Sequence, residues 1–290
     1  MSHTSPVSLP LLPGSIREWK RLMESIDFRP SKGKGQNFLF DRNVVQRIVR
    51  VAGIEPGDAV VEVGPGLGIL TWELLAAGAA VTAIELDWRL AGHLRNYFAA
   101  VPAFRLVEGD ALAAPLDDTL PSGSYHVVAN LPYSVGTAVI QRFLEAEHPP
   151  ETMTVMVQKE VAQRLTAEPP DMSILSVATQ FLSSPKIAFT VSPNVFIPPP
   201  NVDSAVVRLE RRETELPRSD WPRFFRIVQA GFHQRRKNLA NSLSHALGAP
   251  KPDVEQWLRE SGIDPIRRAE TLRMEEWIAL TENGAEFDPR

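Results

Sequence analysis

Asn130-Leu131-Pro132-Tyr133 brings a side-chain amide, a rigid proline and an aromatic ring together where an apolar run, residues 125–129, predicts the end of a buried strand. An amide both accepts from and donates to a base edge, proline fixes the local backbone, and tyrosine offers a flat face for stacking. The competing reading is a polar loop start followed by a proline that stops the sheet. A second stretch, Gly64-Pro65-Gly66-Leu67-Gly68, follows another apolar run and opens a helix. Glycines there let the backbone approach a ligand closely, with a helix N-terminus behind them. The G-x-G-x-G spacing puts Ile69 where a dinucleotide fingerprint needs its third glycine. Pyrophosphate is thereby disfavoured, and an uncharged or cationic nucleoside is the better ligand. Glu85, about 20 residues on, ends the next strand, where a carboxylate bonds ribose hydroxyls. Asp110 ends a third strand behind Gly109, placed to accept from an adenine amino group.

These groups act together only if successive strands deliver them to one sheet edge. Residues 59–63, 80–84, 104–107, 125–129 and 153–157 read as buried strands, with helical segments at 67–77, 88–99 and 134–147 between them. That alternation predicts a doubly wound, Rossmann-like α/β sheet, whose ligands bind beyond the carboxyl ends of the strands. Further helices are expected at 159–166 and 173–183, and a late strand at 202–209 is expected to pair with 186–191. The Gly/Lys-rich stretch at 31–35 lacks the spacing of a P-loop. After Glu210 a charged stretch ending in Pro217 reads as a linker, followed by helical segments at 221–231, 237–247, 252–262 and 274–281. The expected organisation is a flexible head over 1–30 with a short helix near 16–26, an α/β domain over 31–212, and a small all-helical domain over 213–290.

With no cysteine among its 290 residues, the chain has no disulfide, thiolate nucleophile or Cys-ligated metal, and its histidines are scattered. No apolar run approaches the roughly 18 residues of a membrane helix. A cytoplasmic protein with no membrane or metal partner is expected. The net charge of −4 is uneven: nine Lys/Arg face four Asp/Glu over 17–50, eight face eighteen over 51–210, and thirteen face eight over 211–273. Basic segments therefore bracket an acidic middle, a pattern weakly in favour of a polyanionic partner.

The chain resembles the small-subunit ribosomal RNA adenine N6,N6-dimethyltransferases over roughly residues 32–281. The resemblance rests on Gly35-Gln36-Asn37-Phe38-Leu39, Glu62-Val63-Gly64-Pro65-Gly66-Leu67-Gly68, Asn130-Leu131-Pro132-Tyr133, Val157-Gln158-Lys159-Glu160-Val161-Ala162, Phe196-Ile197-Pro198-Pro199-Pro200-Asn201-Val202-Asp203-Ser204 and Phe232-His233-Gln234-Arg235-Arg236-Lys237. It implies a methyltransferase domain that binds S-adenosylmethionine (AdoMet) at Asn37, Leu39, Gly64, Gly66, Glu85, Asp110 and Asn130. It also implies a substrate of two adjacent adenosines near the 3′ end of small-subunit rRNA, modified by a monomer on the immature small subunit during ribosome biogenesis.

On this reading Asn130 and the Leu131 carbonyl accept from the adenine N6 hydrogens, Pro132 fixes that carbonyl, and Tyr133 and Phe196 stack on the extruded base. Arg235, Arg236 and Lys237 would contact phosphates, making binding salt dependent. The chain departs from the family at Asp171-Met172-Ser173-Ile174-Leu175 and at Asn238-Leu239-Ala240, which bears on RNA contacts rather than on the cofactor. The rival readings are a large-subunit rRNA methyltransferase of the antibiotic-resistance type, a non-catalytic assembly or transcription factor on this scaffold, and a nicotinamide dehydrogenase.

Overall fold

The β-branched and small apolar runs of the middle of the chain form one seven-stranded sheet. The computed structural model describes residues 9–30, 36–113, 120–234, 236–284 and 287. Strands β2 (Ala59–Val63), β3 (Ala80–Glu85), β4 (Phe104–Glu108), β5 (His126–Asn130) and β6 (Thr152–Gln158) pair in parallel. β9 (Ser204–Arg211) runs antiparallel to β6, and β7 (Ser183–Val191) forms the far edge, giving the order β4-β3-β2-β5-β6-β9-β7. The chain winds outward from β2 through β3 to β4, then restarts at β5 on the other side of β2. The switch point therefore lies between the carboxyl ends of β2 and β5, where open sheets form their ligand crevice.

Helix α2 (Arg42–Ala52) buries Val45, Ile48 and Ala52, is capped by the Asp41 carboxylate accepting from Asn43 and Val44, and stops at Gly53 in the left-handed region. Helix α3 (Ile69–Ala76) starts directly behind the glycine turn, and α4 (Trp88–Tyr97) starts at an Asp87 cap two residues beyond Glu85. The sheet thus places helix starts at the edge where its polar groups emerge.

The head is a correction to the sequence reading. From Leu9 onward it packs against the core. Helix α1 (Ile16–Ser25) buries Trp19 and Met23, one turn apart, and Phe28 follows them into the core. The Trp72 indole N–H donates to the Pro10 carbonyl at 2.7 Å, and the Tyr97 hydroxyl donates to the Leu11 carbonyl at 2.7 Å.

Packing divides the chain into two units, one of residues 1–162 and 186–211, the other of residues 163–185 and 212–290. The sequence reading kept 163–185 with the sheet. Aromatic packing explains the difference: Phe181, in the helix Ile174–Leu182, stacks on Phe224 at 4.0 Å between ring centroids and meets Trp221 edge-on at 5.7 Å. The second unit adds the helices Trp221–Phe232, Leu239–Leu247, Lys251–Glu260 and Met274–Glu282, with Trp257 and Trp277 fully buried among them. Among the described residues, no helix is long and apolar enough to cross a membrane.

Candidate active site

β2 ends by running into the glycine turn, and the turn has a shape that only glycine takes without strain. Gly64, Gly66 and Gly68 all have positive φ, at 67°, 61° and 86°. At Gly66 a Cβ would also lie 2.9 Å from the Phe38 ring, so the turn and the segment around Phe38 close on each other. The acid at the end of β3 pins this turn: the Glu85 carboxylate accepts from the Gly66 N–H at 3.1 Å and from the Asp87 N–H at 2.9 Å. Burial pushes the Glu85 carboxyl upward in pKa, opposed by these backbone donors.

The other wall comes from the end of β5. Leu131 N–H donates to the Met156 carbonyl at 3.2 Å and Val135 N–H to the Pro132 carbonyl at 3.1 Å, so the Asn-Leu-Pro-Tyr segment is tied down at both ends. Asn130 directs its amide N–H toward the Asn37 carbonyl at 3.4 Å, which leaves its Oδ1 as the acceptor of the pair. The Tyr133 hydroxyl shares a 2.6 Å hydrogen bond with the buried Ser204 hydroxyl at the start of β9. Burial raises the Tyr133 pKa, so the ring stays neutral.

Asn37 reaches the site through a pairing that sequence reasoning missed. β1 (Phe38–Leu39) and β8 (Phe196–Ile197) form a separate two-stranded ladder, with Phe38 opposite Ile197 and Leu39 opposite Phe196. The Phe40 N–H extends it by donating to the Val195 carbonyl at 3.1 Å. Two-residue strands this far apart carry no period of their own to read.

The result is a cleft, open to solvent, into which Asn37, Leu39, Gly64, Gly66, Glu85 and the whole segment Asn130-Leu131-Pro132-Tyr133 converge. Glu62, which sequence reasoning did not single out as a site residue, lines it as well. The residue is 1% exposed; its carboxyl accepts from the Thr71 hydroxyl at 2.6 Å and is pushed up to about 8 by burial, with the Glu85 charge adding to the rise. A lone acid in the apolar run Val60-Val61-Glu62-Val63 was the available signal. No Lys, Arg or His stands among the described lining residues.

Three expected groups lie elsewhere. Phe196 is 3% exposed, packs in the core behind Leu39, and does not line the cleft, so it has no free face for a base. Asp110 is exposed beyond β4 and accepts from the Leu112 N–H at 2.9 Å; it also does not line the cleft, although its neighbour Gly109 donates to the Glu85 carbonyl at 2.9 Å. Arg236 and Lys237 are exposed in the second unit, while Arg235 lies outside the described residues.

Chemically, two carboxyls, an oriented amide and apolar walls suit a nucleoside that carries hydroxyls and positive charge. A profile of ribosomal RNA adenine dimethylases matches residues 28–285 of the chain. The chain is 41% identical over 289 residues to ribosomal RNA small subunit methyltransferase A of Dehalococcoides mccartyi, covering 98% of this chain and 99% of that protein. The protein of the same name from Moorella thermoacetica is 42% identical, over 87% of this chain and 91% of its own length. Among solved structures, the 23S rRNA methyltransferase ErmE aligns with a TM-score of 0.68 at 33% identity, covering 85% of this chain and 99% of that one. A dimethyladenosine transferase from Plasmodium falciparum, 21% identical, shares the fold with a TM-score of 0.72 over 86% of this chain and 98% of its own.

Proposed function

The chain belongs to the ribosomal RNA adenine dimethylase family, and from that membership we propose how its cleft performs the methylation of small-subunit rRNA. The protein is an AdoMet-dependent rRNA adenine methyltransferase, and the reaction is the N6,N6-dimethylation of adenosines in 16S rRNA. The finer reading is that its substrates are two adjacent adenosines near the 3′ end, modified by a monomer acting on the immature small subunit.

The cleft fits the cofactor on its own chemistry: carboxyls for hydroxyls and positive charge, apolar walls, and a glycine turn at a helix start. When bound, AdoMet supplies an electrophilic methyl group on a sulfonium. Glu85 would accept from the ribose hydroxyls, the segment Asn37–Leu39 would cover the nucleoside, and Gly64 and Gly66 would give it room against the turn. Asp110, on the turn after β4 whose Gly109 N–H donates to the Glu85 carbonyl, would take the adenine amino group from outside the present lining of the cleft.

The observation that carries the catalytic reading is the direction of the Asn130 amide. One of its two N–H groups donates to the Asn37 carbonyl, which orients the amide and makes its oxygen the group offered to a target base. An adenine N6 is a poor nucleophile because its lone pair is delocalised into the ring. Accepting its hydrogens at Asn130 Oδ1 and the Leu131 carbonyl pulls the nitrogen toward a tetrahedral, more nucleophilic state. Holding it in line then lowers the barrier by removing orientational freedom. Pro132 fixes that carbonyl. Tyr133, kept neutral and clamped by Ser204, is a stacking face rather than a base. Extruding the base costs a few kcal/mol, and stacking on Tyr133 returns about 1–3 kcal/mol. Phe196 supports this arrangement from behind by packing under Leu39.

A large-subunit substrate is the second reading, favoured by the 33% identity to ErmE. The higher identity to small-subunit relatives over nearly the whole chain outweighs it. Purified protein, AdoMet and immature subunits of either kind are incubated, and the digested rRNA is analysed by mass spectrometry. Dimethyladenosine in the 16S rRNA alone is the expected outcome; its appearance only in 23S rRNA would reverse the assignment.

A further inference from the structure

Glu62 has no part in the mechanism above, yet it is a fully buried acid facing the cofactor cleft. Its neighbours on every side decide its charge. From β3 comes Glu85, with Asp87 just beyond it; from α3 comes only Thr71, because Glu73 on that helix is paired with Arg42. Past β5 stands neutral Tyr133, and from the β1 side stand the amides Gln36 and Asn37. His93 of α4, hydrogen-bonded to the Leu67 backbone, is held toward its neutral form by burial. Two carboxyls therefore share a half-closed cleft whose described lining holds no cation. Like charges so placed cannot both ionise cheaply, and since no described lining residue is a cation, a cationic ligand would supply the counter-charge.

We infer that Glu62 is the charge-selectivity residue of the cleft: neutral when no sulfonium is present, it ionises as a sulfonium nucleoside enters, and so favours the cofactor over its product, which has a neutral thioether in the sulfonium's place. This rests on the AdoMet reading above and adds to it a device for releasing spent cofactor. The proton balance is simple. The O–H bond of the Glu62 carboxyl breaks, the proton passes to buffer through the open side of the cleft, and no electrons or other groups move. The thioether product lacks the sulfonium charge, so Glu62 takes its proton back and the product loses that attraction. With a free-state value of about 8, Glu62 is mostly neutral near pH 7 and mostly ionised above pH 8.

Calorimetric titration of the full-length protein with AdoMet and with S-adenosylhomocysteine tests this, at about pH 6.5 and about pH 8.5, in two buffers of different ionisation enthalpy. AdoMet affinity is expected to rise about tenfold over that range relative to the thioether, with release of about one proton at the lower pH. Glu62→Gln should abolish that rise and the proton release, and Glu62→Asp should retain part of both. The ligands' own amino groups titrate alike with every variant, so the difference between proteins isolates Glu62. An unchanged selectivity and proton count in Glu62→Gln overturns the inference. Should that variant fail to fold, AdoMet binding to the wild type without proton release overturns it equally. Wild-type protein that binds no AdoMet at either pH overturns the cofactor reading as well.

Discussion

Asn130 and Glu62 show how differently two polar residues at one cleft are constrained. Asn130 stood out in the sequence because an amide, a proline and an aromatic ring at a strand end have few joint uses. The structure adds the direction of its amide, which no sequence carries. Asn130→Ala should lower turnover by about 10²–10³, by analogy with removing one group that stabilises a transition state. Methyl transfer to rRNA measures this, and cofactor affinity by calorimetry should change far less; unchanged turnover would move catalysis off this residue. Glu62 was legible only as an anomaly, an acid inside an apolar strand. Its folded-state value, raised from 4.5 to about 8, means that the folded protein prefers the protonated carboxyl. Stability from this group is complete below about pH 4.5 and is lost progressively as pH rises toward about pH 8. Glu62→Gln should therefore raise the Tm of the ligand-free protein by roughly 5 °C at about pH 8 and by little at about pH 5. Equal shifts at both pH values, read by thermal denaturation, would show that packing and not charge is responsible.

At the scale of elements, the sheet was readable because each strand has its own apolar run and each helix its own stop. The strands at 59–63 and 80–85 begin where the sequence pattern begins, and Gly53 ends α2 as a left-handed cap. Pairings between distant short segments were not readable. The β1–β8 ladder is held by cross-strand packing and burial, neither of which leaves a local period, so Phe196 looked like a ring free to stack. Its packing predicts a different phenotype. Phe196→Ala should destabilise the protein by about 3–5 kcal/mol, as a large-to-small change in a packed core does. Chemical denaturation followed by fluorescence would measure that loss. A variant as stable as the wild type but defective only in RNA methylation would restore the stacking role. The helix Ile174–Leu182 carries a similar lesson: its position in the chain placed it with the sheet, and its aromatic partners place it with the second unit.

Along the whole chain, the net charge of −4 hides an uneven distribution, since the acidic excess lies in residues 51–210, which supply most of the cleft, and the basic excess in the stretches before and after them in sequence. Arg236 and Lys237, exposed in the second unit, are expected to meet phosphates rather than bases. Replacing both with alanine should weaken RNA binding across sequences and flatten the dependence of log affinity on log salt by about 1 for each phosphate no longer neutralised. Filter binding at several ionic strengths would read the slope, and an unchanged slope would put the RNA surface elsewhere. The β1–β8 ladder also has a consequence in time. Asn37 and Leu39 leave the ribosome early, but the strand that holds them is made only when synthesis reaches Phe196. At about 5–20 residues per second, that gap lasts roughly 8–30 s. Throughout it the nascent chain carries its glycine turn and Glu85 without the segment that covers them. An enzyme that modifies ribosomal RNA is thus left without a finished cleft until its sheet is nearly complete.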